Sequence, residues 1–138
     1  MFNWGEMDHR HLYSTYQRVQ KHCCPEWRKS NKFYEWYNKK SIEQSNLCEY
    51  CHLPGDTTYY YGKRFRLDKH DNYRRGGRLE VDRIDNNKPY SPDNCLLACY
   101  PCNNAKSDVF SYDEFIKIGK TIKAMKTSQQ QKKKDTNA

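Results

Sequence analysis

Asp82 and Asn103 are the residues whose type and setting most suggest chemistry. Asp82 closes a short alternating run in which Leu79 and Val81 are apolar, the pattern of a strand with one buried face. Asn103 follows Cys102 at a helix start. A hairpin folded onto that helix would bring the two close. One carboxylate and one amide oxygen suit a hard cation such as Mg²⁺, which keeps several waters and shares its shell with phosphate. Such an ion can stabilise the alkoxide that leaves when a phosphodiester breaks. The plainer reading is that an isolated Asp and Asn cap turns.

Thirty residues around this pair, 79–108, cannot bury much of a core, so another force must hold them. Cys48-Glu-Tyr-Cys51 and Cys99-Tyr-Pro-Cys102 each have the two-residue gap that lets both sulfurs reach one tetrahedral ion. A structural zinc on Cys48, Cys51, Cys99 and Cys102 is expected over disulfides. The seven cysteines are an odd count, and residues two apart make a poor structural disulfide. Cys95 lies in an apolar run and reads as a small buried hydrophobe. Cys23 and Cys24, with His9, His11 and His22 nearby, are candidates for a second metal site, but adjacent cysteines make an unusual ligand pair and the plainer reading is favoured.

The elements that must position these groups read as strand, loop, strand, knuckle and helix over residues 79–108. Upstream, residues 1–24 read as a helix with Leu12, Tyr16, Val19 and Cys23 on one face. Pro25 breaks it, and a second helix is expected from about Glu26. That helix carries Trp27, Phe33, Tyr34, Trp36 and Tyr37, rings expected in a core. Tyr59, Tyr60 and Tyr61 form a β-prone run. Residues 63–78 hold seven basic side chains, including Arg74, Arg75 and Arg78, against Asp68 and Asp71. Beside tyrosines and before Gly76-Gly77, this stretch is expected to be a DNA-contacting loop or β-ribbon rather than a solvated loop. Ser111-Tyr-Asp-Glu114 is a capping box opening a helix to about Met125. The segment 127–138 is polar and basic and is expected to be disordered.

The organisation expected is therefore a helical segment over 1–45, a zinc-bound core with its helix over 46–126, and a tail over 127–138. The fold class is α+β. Of 138 residues only 36% are hydrophobic and mean hydropathy is −1.24, which is thin for a domain held by burial alone. A net charge of +8 and a pI near 9.1 favour a polyanionic partner, DNA first, over a merely soluble basic protein. No apolar run reaches membrane-spanning length, so no membrane partner is expected. The N-terminal residues carry no charged-then-apolar leader, which points to an intracellular, reducing setting, cytoplasmic or nuclear. A homodimer is left open.

Taken in order, Cys48-Glu-Tyr-Cys51, Asp82-Arg83-Ile84, Asp93-Asn94-Cys95-Leu96 and Cys99-Tyr-Pro-Cys102-Asn103-Asn104-Ala105-Lys106 resemble the HNH, or ββα-metal, nucleases. That pattern runs Cys-x-x-Cys, Asp-His-Ile, Asn-Leu, then Cys-x-x-Cys-Asn-x-x-Lys. The match spans roughly residues 46–110. One position departs from it: the histidine that acts as general base in most of the family is Arg83, which stays protonated and cannot accept a proton. Val-Asp-Arg is similar to the small Pac-type rare-cutting endonucleases, in which a tyrosine upstream of the first knuckle replaces the histidine. The resemblance implies a zinc-stapled ββα-metal core with flanking N-terminal helices and a C-terminal helix. It implies that Asp82 and Asn103 hold the catalytic ion, that Tyr37 activates water, and that Arg83 and Lys106 face phosphate. Asn94 would brace the loop. His52 and His70 are the rival bases. The other reading from a different class is a zinc-stabilised nucleic-acid-binding module without catalysis, for which Arg83 is the best support.

Overall fold

The computed structural model describes residues 10–67 and 73–136, with only the backbone described at 10, 11, 67, 73 and 74. His9, Asp68, Lys69, His70 and Asp71 lie outside the described residues.

Helix α1 spans Arg10–Gln20 and buries Leu12, Tyr16 and Val19, the stripe that its 3.6-residue period predicts. It stops short of residue 24. Beyond it Cys23 makes a parallel bridge to Tyr90, with the Cys24 amide donating to the Tyr90 carbonyl (2.8 Å) and the Tyr90 amide to the His22 carbonyl (2.9 Å). The chain then makes one 3-10 turn at Pro25–Arg28, and helix α2 runs Ser30–Glu43, later than the expected start. Trp27, Phe33, Tyr34 and Tyr37 are buried as expected, with Trp27 edge-on to Phe33 at 5.2 Å. These rings share one hydrophobic cluster with the four knuckle cysteines and strand residues Val81 and Leu97.

The tyrosine run does not form a strand. Helix α3 spans Thr58–Tyr61, a single turn. Asp56 Oδ1 accepts from the Thr58 amide (3.1 Å) and hydroxyl (2.8 Å), and Gly62 closes the turn at φ 75°. Local capping at both ends overrides the β preference of the tyrosines. Strands β1 (Phe65–Leu67) and β2 (Tyr73–Arg75) then pair antiparallel, Phe65 opposite Arg75, so the basic stretch is indeed a ribbon.

Strand β3 (Glu80–Arg83) pairs antiparallel with β4 (Cys95–Ala98), in the register Glu80 to Ala98 through Arg83 to Cys95. All of β4 is buried, Cys95 included, and burial pushes the Cys95 thiol up to about 12. The outer backbone groups of β4 are satisfied by Gln44, whose amide donates to the Leu97 carbonyl (2.9 Å) and accepts from the Leu97 amide (3.1 Å). Helix α4 (Tyr100–Lys106) follows, and its contacts are with β3. The hairpin and helix that the motif implies are therefore present, flanked by α1, α2 and a C-terminal helix.

Helix α5 spans Tyr112–Thr136. Its start is the expected capping box: the Ser111 amide donates to Glu114 Oε1 (2.9 Å) and the Glu114 amide to Ser111 Oγ (3.1 Å). Phe115 is buried edge-on against Tyr50. Gly119 lies so close to the Tyr50 carbonyl that any side chain would collide with it. The tail expectation is corrected: helix continues past Thr127 to Thr136. Gln and Lys are good helix formers, and Lys126 to Gln129 (3.3 Å) and Gln131 to Asp135 (3.0 Å) bond along its surface. No helix of the described residues is long and apolar enough to cross a membrane.

Candidate functional site

Cys48, Cys51, Cys99 and Cys102 converge. Their sulfurs all lie within 4.8 Å of one another, and all four residues are fully buried. The Cys51 and Cys99 sulfurs are 3.7 Å apart. A tetrahedral zinc with Zn–S near 2.3 Å needs sulfurs about 3.8 Å apart. All seven cysteines are free thiols. The cluster is thus compatible with a structural zinc by donor type, number and spacing. The first knuckle is shaped by the turn itself: the Cys48 amide donates to the Leu53 carbonyl (2.9 Å) and the His52 amide to the Cys48 carbonyl (2.9 Å). His52 holds φ at 55° within that turn and its side chain is exposed.

The clamp sets β3 beside α4, and the facing side chains form two rungs. Strand alternation puts Glu80 and Asp82 on one face. Helical spacing of three puts Asn103 and Lys106 opposite them. The Asn103 side-chain amide donates to Glu80 Oε1 (3.0 Å), and Lys106 Nζ pairs with Asp82 Oδ2 (3.3 Å). Asp82 also accepts from the Tyr50 hydroxyl (2.5 Å), so the first knuckle touches it directly. Burial raises the Asp82 pKa, partly offset by Tyr50 and Lys106, and burial together with the Asp82 charge pushes the Tyr50 hydroxyl well above its usual value. Asp82 and Asn103 therefore face the same interface, but on neighbouring rungs rather than bonded to each other. Glu80 is the residue that the sequence reading missed. The period-two pattern placed it on the face of Asp82, and that was the available signal.

Arg83 points to the other side. Its guanidinium lies over the Tyr90 ring at 4.7 Å and donates to the Lys88 carbonyl (3.2 Å). Tyr90 lines a cavity with Thr15, Arg18, Val19, Glu80, Val81 and Asn103. Asn94 closes the loop between β3 and β4, accepting from the Asp85 amide (2.9 Å) and donating to the carbonyls of Asp85 (2.9 Å) and Pro89 (3.1 Å).

Three residues singled out in the sequence have partners within the fold. Tyr37 is buried and donates to the Leu79 carbonyl (2.6 Å), and burial pushes its pKa well above that of a free tyrosine. Its hydroxyl braces the entry to β3. Lys106 is fully buried, held by Asp82 and by the Arg83 carbonyl (3.2 Å). Arg75, expected on DNA, forks onto the Glu80 carboxylate and lies over the Tyr100 ring at 4.6 Å. Arg78 is half-buried beside the start of β3, and Arg74 lies in β2.

These features define a class: an α+β chain whose four-cysteine cluster staples a ββα unit, the architecture of the HNH nucleases. A solved structure agrees. The chain is similar to the rare-cutting HNH restriction endonuclease PacI, whose structure was described with its mechanism of DNA perturbation. The similarity has a TM-score of 0.64 and 26% identity, covering 93% of this chain and 87% of that one. The Pac-type resemblance read from the motifs thus extends over nearly the whole chain. No protein-family model matches the chain, and no curated protein does.

Proposed function

We propose that the chain is a metal-dependent DNA endonuclease of the HNH type that hydrolyses phosphodiester bonds in double-stranded DNA. The observation that carries this is the pairing of β3 and α4, with Glu80, Asp82 and Asn103 gathered against a four-cysteine clamp, on a fold similar to an HNH endonuclease. A zinc ion on the four cysteines is structural. A divalent ion such as Mg²⁺, when bound, supplies charge to the scissile phosphate and to the leaving oxygen.

Asp82 and Asn103 are the residues assigned to that ion. Because the Asn103 amino group donates to Glu80, its carbonyl oxygen is the atom left to ligate. The donor set of carboxylates and one amide oxygen fits a hard cation. Arg83, whose forked guanidinium lies over the Tyr90 ring, is assigned to clamp phosphate. Arg74 and Arg78 on the ribbon are assigned to DNA contact, and a homodimer would present two such cleavage sites. The reducing interior of a cell is the compartment that keeps the thiolates available.

The role of proton acceptor passes from Tyr37 to Tyr90, the tyrosine that lines the cavity. Burial raises its pKa above that of a free tyrosine, and Arg83 and Arg18 offset only part of the rise, so deprotonation would depend on the added charge of the bound ion. Tyr37→Phe is expected to leave the cleavage rate within a few-fold of wild type and to cost about 1 kcal/mol of stability, for one buried hydrogen bond lost. Tyr90→Phe is expected to slow cleavage by about 10²–10⁴-fold with the melting temperature kept. Single-turnover rates and thermal melts on both variants check this; the reverse ranking would return the role to Tyr37.

A second reading is a zinc-stabilised DNA-binding module without catalysis. The observation favouring it is that Lys106 already neutralises Asp82. Incubating the protein with supercoiled plasmid in Mg²⁺ and in EDTA decides: nicked or linear product in Mg²⁺ alone supports the nuclease, and intact plasmid with retained DNA binding supports the module.

A further inference from the structure

The cavity beside Asn103 is walled on one side by α1, which neither knuckle nor hairpin contributes. Two contacts put the helix there. Its apolar stripe packs over β3, and the Cys23–Tyr90 bridge ties the chain just after it to the loop between β3 and β4. The result is that Arg18 enters the cavity lining together with Glu80, Tyr90 and Asn103.

Arg18 is an unusual cation for a folded surface. Among the described residues it has no ion pair and no hydrogen bond. The carboxylate in the cavity lining is Glu80, and that is already forked by Arg75 and bonded by Asn103. Arg66 is near enough to add like charge and donates instead to the Tyr100 hydroxyl (3.0 Å). Loss of water, together with repulsion from Arg75, lowers the Arg18 pKa. Arg66 and Arg75 thus add like charge around Arg18, with Glu80 the acid in the cavity lining. A guanidinium held there without a partner weakens the fold unless an anion arrives to complete it. The anion that fits offers two oxygens to one fork, as a phosphodiester does, and lies beside Asn103.

We propose that Arg18 binds a phosphate of the nucleic-acid backbone in this cavity, clamping two of its oxygens beside Asn103 so that helix α1 completes the substrate site. This rests on the nuclease reading for the identity of the substrate, but not for the phosphate contact. Arg18 acts here as a positioning residue: its fork fixes the phosphate against the β3–α4 rungs. Neither the motif nor the charge-rich ribbon marks it in the sequence, because Arg18 lies 64 residues before Asp82.

The test uses the full chain with zinc bound, and the variants Arg18→Gln, Arg18→Lys and, as control on the same helix, Gln17→Ala. Fluorescence anisotropy with a labelled double-stranded oligonucleotide in EDTA is measured across salt concentrations, and plasmid cleavage in Mg²⁺ under single turnover. Arg18→Gln is expected to bind about tenfold more weakly and to reduce the log–log salt slope by roughly 0.9, one phosphate contact. Its cleavage is expected to slow by about 10²-fold. Arg18→Lys should restore the slope but not the full rate, since charge returns without the fork. Zinc content should not move, and the melting temperature of Arg18→Gln should hold or rise, since an unpaired charge is removed. If wild type binds but cleaves nothing while Arg18→Gln still lowers the slope, the phosphate assignment stands and the nuclease reading falls. If wild type cleaves and Arg18→Gln matches it in slope and rate, the assignment falls alone. A wild-type protein that binds no DNA overturns the assignment.

Discussion

Cys102→Ser is expected to unfold the chain at room temperature. Cys102 lies in the first turn of α4, three residues from Cys99, and joins β4 and α4 to the knuckle after α2. Serine removes one thiolate from a buried set of four. Structural zinc sites contribute on the order of 10–16 kcal/mol of binding free energy, which is folding energy when the unfolded chain holds no site. Domains of this size have net stabilities of about 5–15 kcal/mol. Losing most of the first quantity therefore removes the second. The other three thiols do not replace it, because buried sulfurs make only weak hydrogen bonds to each other. Circular dichroism and zinc analysis on the purified variant check this. Chelation of wild type by phenanthroline should give the same spectrum. Cys95→Ala is the control: it is equally buried but is not in the cluster, so it should keep its zinc and lose only about 1 kcal/mol. A folded Cys102→Ser with a melting temperature near wild type would remove zinc from the account of stability.

Asn103→Ala and Asp82→Ala are both expected to abolish Mg²⁺-dependent cleavage, by about 10²-fold or more, but only one of them should leave the fold intact. Asn103 makes one side-chain hydrogen bond, to Glu80, and Glu80 keeps Arg75 when it is gone. Its melting temperature should stay within a few degrees of wild type. Asp82 is different, because Lys106 is fully buried and Asp82 is its counter-charge. Removing one partner of a buried pair costs about 3–5 kcal/mol, since the other charge is left uncompensated. Asp82→Ala should therefore lose stability as well as activity. Asp82→Asn separates the two effects: its amide oxygen can still accept from Lys106 and Tyr50, while its negative charge is absent. It should recover much of the stability and none of the cleavage. Thermal melts and cleavage rates on all three variants distinguish these outcomes. Cleavage that persists in folded Asp82→Asn would take Asp82 out of the ion's shell, with Glu80 next in line on the same strand face.

Local spacing made the four-cysteine cluster and the ββα unit readable. Two residues between cysteines is a geometric requirement of one tetrahedral ion, and the turn that meets it is built from the knuckle's own backbone. Alternation over Leu79–Asp82 and the capping box at Ser111 are equally short-range, and the structure has both elements. The Tyr59–Tyr61 run failed at the same range, because Asp56 and Gly62 capped it into a turn. Partners across the fold were not readable. Nothing near Lys106 in the chain says that Asp82 will neutralise it, and nothing near Tyr37 says that a strand carbonyl will take its hydroxyl. Arg75 and Arg18 carry the same charge and look alike in the chain, yet among the described residues Arg75 forks onto Glu80 while Arg18 only shares a cavity with it. Which polar groups are matched depends on which side chains the packing brings within about 3 Å. That is decided by the docking of α1, α2 and α4 on the hairpin. The chemical identity of the site is written in residue types and spacing, whereas the freedom of each group to act is set by the neighbours that burial gives it.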